Sequence, residues 1–308
     1  AISVGRVMTC VLGMVVRRER EIRAFVKTPF YRVLSSIALE GENFEGEWRA
    51  VEGSRYFQTP YLYKENGFKE KEEAKKLIAV LKEGTSPLTC RIVSIEKKKE
   101  KKNPPLLFNL AELQNECSKR FKISPDETLR IVQELYEKKL VTYPRTDARV
   151  LSTAVSKEIT KNLNGLSKYQ MAAPYMQDIL HYGAYKNLAK TRYVNDKQIT
   201  DHYAIIPTGQ GLNVLKSLSQ TSQRVYETIV RRFLCIFCPP AVYQKVSLVT
   251  EMQKEKFFSG FKVLQEEGYL KYATNSFARK SAADRSQESG KEDSEEVSCD
   301  VQLLNALQ

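Results

Sequence analysis

The chain has 308 residues, 42% of them hydrophobic, so it is long enough for two or more domains and too apolar for a disordered protein. Its net charge of +12 fits a nucleic-acid partner about as well as it fits a protein that is simply basic. The apolar stretch 7–16 is too short to cross a membrane, and the six cysteines show no disulfide framework. We therefore expect a cytoplasmic protein without membrane contact. Because it starts at Ala1, without methionine, inside a helical pattern, we also expect a piece of a longer protein.

The first third of the chain predicts a small mixed domain. Valines at helical spacing indicate a helix over residues 3–24, and apolar residues alternate as in a strand over 30–40. Residues 47–51 and 88–96 also have strand patterns. Between them, residues 69–82 form a lysine- and glutamate-rich helical pattern. This order predicts strands with one inserted helix.

Residues 97–105 begin with a basic run and end in two prolines. A basic run can bind nucleic acid, but the prolines and the change of pattern after them favour a solvated linker. We therefore place a domain boundary here.

Two well-marked helices follow the boundary. Asn109 and Glu112 have the spacing of a capping box at the start of the first helix. Ser124 followed by Pro125 marks the start of the second, which ends near Lys139. Two consecutive helices and then an extended segment are typical of helix-turn-helix and winged-helix modules. The predicted inner face of the second helix consists of Leu129, Val132, Leu135 and Tyr136.

The rest of the chain predicts, in order, a helix, an unpatterned stretch, a helix, two strands and a polar, acidic connector. Their ranges are 152–163, 164–196, 222–237, 242–250, 260–264 and 273–308. Cys235 and Cys238 form a single Cys-x-x-Cys on the later helix. Without a second pair at zinc-binding spacing, core packing is the preferred interpretation.

The strongest candidate for chemistry is Tyr143, within Val-Thr-Tyr-Pro-Arg-Thr-Asp. A phenol has a pKa of about 10, so it attacks a phosphodiester only after losing its proton, and only if the phosphate charge is compensated. Arg145, two residues later, can supply that charge through a bidentate guanidinium. Thr142, Thr146 and Asp147 add groups that can bind phosphate or orient the arginine. An isolated Tyr-x-Arg would more simply be a core tyrosine beside a polar turn.

Other candidates are weaker when taken singly. Gln133 and Glu137 share a helical face that can point toward Tyr143, although such surface pairs are common. His202 can donate to a phosphate oxygen or can be a structural histidine. Arg6 follows Ser3-Val4-Gly5 at a predicted helix start, where main-chain N–H groups can receive a phosphate. The sequence has neither a phosphate-binding Gly-x-x-x-x-Gly-Lys-Ser/Thr loop nor a Gly-x-Ser-x-Gly elbow.

Taken together, four stretches resemble type IA DNA topoisomerases, closest to the bacterial topoisomerase III branch. The resemblance covers roughly residues 1–270, and the stretches come in the family's order. They are Ser3-Val4-Gly5-Arg6-Val7, residues 104–114 beginning Pro-Pro-Leu-Leu-Phe-Asn-Leu, Thr142-Tyr143-Pro144-Arg145-Thr146-Asp147, and Asp201-His202-Tyr203-Ala204-Ile205-Ile206-Pro207-Thr208.

The resemblance implies a chemistry. Tyr143 would attack the scissile phosphate of single-stranded DNA and form a 5′-phosphotyrosine, and Arg145 would neutralise that phosphate. Positions that contact DNA near the cleavage site in the family are matched by Arg6, Gln133, Glu137 and His202. The Mg²⁺ of the family belongs to an N-terminal Toprim domain that has no counterpart here, so no metal is expected on this chain. The parent enzyme would be an isomerase, and this chain alone would be inactive or nearly so.

The resemblance also implies a multidomain α+β architecture, monomeric, in the bacterial cytoplasm, associated with the nucleoid or a mobile element. A winged-helix-like domain at 103–241 would carry the tyrosine. A split β-rich domain at 46–102 and 242–272 would be its hinge, and residues 1–45 would belong to the domain beside the DNA groove. The alternative is a winged-helix DNA-binding module without chemistry.

Overall fold

The computed structural model describes residues 5–83, 88–274, 276 and 302–307, without the side chains of Arg6 and Tyr182. The chain divides into two compact units. One consists of Ala1–Glu96 with Ser247–Gly260, and the other of Lys97–Val246 with Phe261–Gln308. None of the helices within the described residues combines the length and apolarity that a membrane crossing needs.

The first unit contains the predicted helix, strands and inserted helix. Its complete elements are α1 (Arg6–Arg23), β1 (Leu34–Leu39), β2 (Glu42–Arg49), β3 (Leu62–Lys64), β4 (Gly67–Phe68) and α2 (Lys71–Lys82). β1 and β2 form an antiparallel hairpin in which Leu39 faces Glu42, and Glu40 and Gly41 at its turn have positive φ.

A buried carboxylate fastens the core of this unit. Trp48 and Phe68 are fully buried and stack with ring centroids 4.9 Å apart. The Trp48 indole N–H donates to the Glu255 carboxylate at 2.7 Å, and the Ser54 hydroxyl donates to the same oxygen at 2.6 Å. Because buried polar groups are costly without partners, these bonds tie Trp48 and the loop at Ser54 to one carboxylate on a strand distant in sequence.

The second unit is mainly helical. Its helices are α3 (Leu110–Phe121), α4 (Pro125–Glu137), α5 (Thr153–Leu166), α6 (Ala173–Tyr182), α7 (Leu212–Leu215), α8 (Gln220–Cys235) and α9 (Leu270–Ala273). Helix α6 and a 3₁₀ segment, Ala184–Lys190, lie in the stretch 164–196 that the sequence left unpatterned, and a second 3₁₀ segment, Asp196–Gln198, begins at its end. The predicted caps are confirmed, because Asn109 and Ser124 accept hydrogen bonds from Glu112 and Glu127 respectively.

Helix α8 forms the centre of the second core. Val225, Tyr226, Ile229, Phe233 and Leu234 on it are completely buried. Around it pack the inner faces of α3, α4 and α5 and the segment 204–206. For α8, the apolar period of 3.6 residues thus predicted correctly which face lies inside.

Three long strands contain residues of both units. They are β5 (Arg91–Lys102), β6 (Ala241–Met252) and β7 (Glu255–Glu266), and with the first hairpin they give the sheet order β1-β2-β7-β6-β5. The linker predicted at 97–105 is therefore wrong for residues 97–102, which continue β5. The strand is at the edge of the sheet, where lysines are compatible with pairing on one side and discourage pairing on the other.

Two further expectations need comment. Tyr136 was expected on the inner face of α4, but its side chain is 39% exposed, whereas Val132 and Leu135 are fully buried. The polar connector predicted at 273–308 lies largely outside the described residues. Its described part includes 302–307, where Leu303, Leu304 and Leu307 are buried.

Candidate active site

Tyr143 is half-buried and contacts two other rings. The imidazole of His202 lies 4.4 Å away, centroid to centroid, with the ring planes inclined at 44°. The ring of Tyr136 meets it edge to face at 5.4 Å and 82°. The structure thus brings together two predicted site residues, 59 positions apart in the numbering (202 minus 143), and one unexpected residue.

The position of His202 depends on how two extended segments pair. The Thr142 N–H donates to the Ile206 carbonyl at 3.0 Å. The Thr142 hydroxyl donates to the Ala204 carbonyl at 3.1 Å and accepts from the Ile206 N–H at 2.9 Å. A single side chain therefore bonds twice across to the segment that follows His202, and this fixes its register beside Tyr143.

The turn after Tyr143 is anchored by buried polar groups. Thr146 is 7% exposed, and its hydroxyl donates to the His202 carbonyl at 2.7 Å while accepting from the Ala148 N–H at 3.1 Å. Asn109, the cap of α3, donates through its side chain to the Asp147 carbonyl at 3.1 Å. Asn109, which belongs to the family-like stretch 104–114, thus supports the turn that follows Tyr143. Both threonines have structural bonds, and their DNA contact stays a prediction.

Arg145 and Asp147, on the same turn, face solvent. Both residues are exposed, whereas Pro144 and Thr146 beside them are buried. No ion pair joins Arg145 to any residue within the described part of the chain. The alternation of buried and exposed positions therefore presents a guanidinium to solvent two residues from the phenol, where it can meet an anion without first breaking a salt bridge.

Gln133 and Glu137 lie on one face of α4, as their spacing predicts. The Gln133 amide donates to the Glu137 carboxylate at 3.2 Å. Tyr136 lies between them on the helix, three residues after the glutamine, and was missed as a site residue. Helical spacing could have found it, because positions 133, 136 and 137 share a face.

Tyrosines elsewhere in the second unit have structural environments instead. Tyr193 is 5% exposed and donates to the Pro104 carbonyl at 2.8 Å. Burial raises its pKa to about 12, and burial likewise raises the pKa of Tyr169 to about 12. Such phenols stay protonated at neutral pH. Tyr143 differs from them in its contacts, because its ring meets those of His202 and Tyr136.

Two predicted features contribute little to this geometry. Ser3 and the side chain of Arg6 lie outside the described residues, although α1 does begin at Arg6. Burial raises the pKa of both the Cys235 and Cys238 thiols to about 12, which disfavours the thiolate that metal binding or redox chemistry requires. In the described part of the chain, no three His, Cys, Asp or Glu side chains converge as metal ligands.

Comparison with known proteins adds the family. A family model described as DNA topoisomerase matches residues 1–303. DNA topoisomerase 3 of Bacillus subtilis is 32% identical over 269 residues, which are 87% of this chain and 34% of that protein. DNA topoisomerase 3 of Salmonella typhimurium is 35% identical over 270 residues, with 87% and 39% covered. The chain therefore spans between a third and two fifths of these relatives' length.

A solved structure supports the same conclusion at the level of fold. Full-length topoisomerase I from Thermotoga maritima superposes with a TM-score of 0.59 at 23% identity, covering 89% of this chain and 41% of that one. The shared fold and the family match over nearly the whole chain agree with each other. The chain belongs to the type IA DNA topoisomerases and is similar to topoisomerase III.

Proposed function

We propose that this chain carries the nucleophile of a strand-cleaving topoisomerase. The observation that supports it best is the contact of Tyr143 with His202, on a turn whose Arg145, two residues later, is exposed and has no ion pair within the described part of the chain. A core tyrosine would be buried and would need none of these neighbours. A phosphate placed against the phenol would meet a guanidinium from the same turn and an imidazole from the facing segment.

In the proposed step, the Tyr143 oxygen attacks the phosphorus of a single-stranded DNA phosphodiester. The bond from phosphorus to the tyrosine oxygen forms, and the bond to the 3′ oxygen of the preceding nucleotide breaks. The phenol gives up its proton, and the leaving oxygen takes one up. The products are a 5′-phosphotyrosine and a free 3′-hydroxyl, and the reverse reaction rejoins the strand after another strand has passed.

The residues have distinct proposed roles in this step. Arg145 pairs with the non-bridging oxygens, where a planar guanidinium can make two hydrogen bonds. His202 donates to the same phosphate. Gln133, Glu137 and Arg6 contact the DNA beside the scissile bond, together with the turn residues Thr142, Thr146 and Asp147. The hydroxyls of Thr142 and Thr146 already donate to main-chain carbonyls. Contact with DNA requires these hydrogen bonds to loosen or to be shared with the phosphate.

Magnesium is proposed for the whole enzyme and not for this chain. The family resemblance assigns its ligands to a Toprim domain, and we propose that such a domain, in the rest of the enzyme, holds the ion. The chain by itself would then have little or no cleavage activity.

The domain roles are also proposals. Two capped helices, α3 and α4, followed by the paired segments around Val141 and Pro207, are compatible with a winged-helix-like domain over 103–241. The strand-rich parts 46–102 and 242–272 would be a hinge, and residues 1–45 part of the domain beside the groove. We propose a monomer that acts in the bacterial cytoplasm.

The second candidate is a DNA-binding module without chemistry, which the charge of +12 would also favour. An adduct assay separates the two. A labelled single-stranded oligonucleotide is incubated with the chain, with and without a Toprim domain taken from a relative. We expect a covalent adduct with the complement that is absent in Tyr143→Phe, while Tyr203→Phe keeps it. If DNA binds but no adduct forms under any condition, the binding module is the better description.

A further inference from the structure

Tyr136 contacts the proposed nucleophile but has no role in the proposed step. Its ring approaches that of Tyr143 edge to face, at 5.4 Å and 82°. This is the preferred geometry of an aromatic pair, because the positive edge of one ring meets the negative face of the other. The contact therefore selects one orientation of the Tyr143 ring.

The surroundings make this contact more important than an ordinary aromatic pair. Tyr143 is half-buried, and no described residue hydrogen-bonds its hydroxyl. The two flanking rings, Tyr136 and His202, are thus its directional neighbours. His202 is held through its own carbonyl by Thr146, and Tyr136 is held by α4. The Tyr143 ring is thus contacted by groups on two separate elements.

The exposure of Tyr136 also favours a role in orienting Tyr143. An apolar or aromatic residue in the last turn of α4 normally gains stability by facing the core, as Leu135 does at 0% exposure. Tyr136 is 39% exposed, so part of its ring stays in contact with solvent instead of entering the core. A solvated surface tyrosine would be the simplest explanation, but it would not account for a T-shaped contact with Tyr143, the proposed nucleophile.

We propose that Tyr136 is a positioning residue that holds the Tyr143 phenol in the orientation needed for attack on phosphorus. The ring, and not its hydroxyl, provides this function. The proposal rests on the proposed function of Tyr143. It does not require Tyr136 to touch DNA.

The first test separates the ring from the hydroxyl. Tyr136→Phe keeps the aromatic edge and Tyr136→Leu removes it, and adduct formation is measured with the Toprim complement together with the affinity for single-stranded DNA. We expect Tyr136→Leu to slow the adduct by about threefold to tenfold, the usual value of an aromatic pair, with unchanged DNA affinity. Tyr136→Phe should react at the wild-type rate. Tyr63→Leu, at a 51% exposed tyrosine of the other unit, is the matched control.

Three results would overturn the proposal. A wild-type rate in Tyr136→Leu would show that the contact does not matter. A loss of DNA affinity that accounts for the slower rate would make Tyr136 a DNA contact. An equal defect in Tyr136→Phe would assign the effect to the hydroxyl.

A second measurement does not depend on activity. The chain is labelled with 3-fluorotyrosine, and the fluorine resonance of Tyr143 is assigned by its loss in Tyr143→Phe. Tyr136→Leu should shift or broaden this resonance, Tyr136→Phe should shift it less, and Tyr63→Leu should leave it in place. An unmoved resonance in Tyr136→Leu would reject the positioning role. If the adduct never forms, this experiment still reports on Tyr136, and the failure then belongs to the proposed function.

Discussion

The imidazole of His202 and the phenol ring of Tyr143 lie 4.4 Å apart, centroid to centroid. They belong to segments that are joined by three hydrogen bonds through Thr142, two of them made by its hydroxyl. The contact is thus a consequence of main-chain register. A slip of one residue in that pairing would turn the histidine away from the tyrosine.

This relationship predicts separable effects of ring and donor at position 202. His202→Phe keeps a ring beside Tyr143 but removes the N–H that would bind phosphate. We expect the rate of adduct formation to fall by about 10- to 100-fold, because a hydrogen bond to a charged group contributes about 1.5–3 kcal/mol. His202→Gln, which keeps a donor, should lose less. A wild-type rate in His202→Phe would show that the histidine is structural.

Arg145 should contribute to DNA affinity through its charge. The logarithm of the affinity for single-stranded DNA falls linearly with the logarithm of the salt concentration, and each phosphate contact makes this slope steeper by about 0.7. We expect Arg145→Gln to reduce the slope by about that amount, and Arg145→Lys to preserve it while slowing adduct formation, since lysine lacks the bidentate geometry. Lys161→Gln, at an exposed lysine paired with Glu158 at 3.1 Å, is the control. An unchanged slope in Arg145→Gln would place the arginine outside the DNA site.

A close approach of two glycines should make the site sensitive to a single methyl group. A Cβ at Gly165, within α5, would lie 2.4 Å from the Gly209 carbonyl oxygen, and Gly209 itself has a φ of +77°. Alanine normally stabilises a helix interior by about 0.5–1 kcal/mol relative to glycine. We expect Gly165→Ala instead to lower the free energy of unfolding by about 1–3 kcal/mol, because main-chain atoms must move apart.

The control for this change is Gly13→Ala, since nothing lies within 4 Å of a Cβ there. Urea unfolding of each variant gives the free energies. Gly165→Ala should also slow the adduct, because Gly209 ends the segment 202–209 that begins with His202. Equal stability of Gly165→Ala and wild type would contradict the packing at this position.

Asp196 should make stability depend on pH in the acid range. Its carboxylate accepts from the Thr153 hydroxyl and, at 2.9 Å, from the Thr153 N–H at the start of α5. The hydroxyl bond is the larger cause and the main-chain bond the second, and together they hold the pKa of Asp196 below its ordinary value of 3.8. The ionised form therefore favours the folded state.

The stabilisation is complete above the ordinary pKa and is lost as the pH falls through the lowered one. Asp196→Asn should have a lower melting temperature than wild type at pH values near neutrality, and the difference should shrink as the pH drops below 3.8. Thermal unfolding followed by circular dichroism across that range measures it. A difference that is the same at every pH would mean that the charge on Asp196 is irrelevant to folding.

The sequence was sufficient for features that depend on neighbours in the chain. Helix caps at Asn109 and Ser124 are local hydrogen bonds, and both are present. The inner faces of α4 and α8 follow from the helical period, apart from Tyr136. Tyr136 was misassigned because the helical period identifies the apolar side of α4 but does not show which residues at the margin of that side contact another segment. Tyr136 contacts Tyr143 instead of the core. The strand at 97–102 was missed because its residues are all lysine or glutamate, which gives no alternation of apolar and polar positions.

What the sequence by itself determined is the type of residue at each position: a tyrosine two residues from an arginine, a histidine in a distant apolar stretch, and a family pattern linking them. Only the tertiary structure decided that His202 and Tyr136 flank Tyr143, that Thr142 and Thr146 use their hydroxyls to hold main chain, and that Arg145 faces solvent. The physical reason is that these relationships depend on the register between segments far apart in sequence. That register is set by the packing of the whole unit, which no local pattern contains.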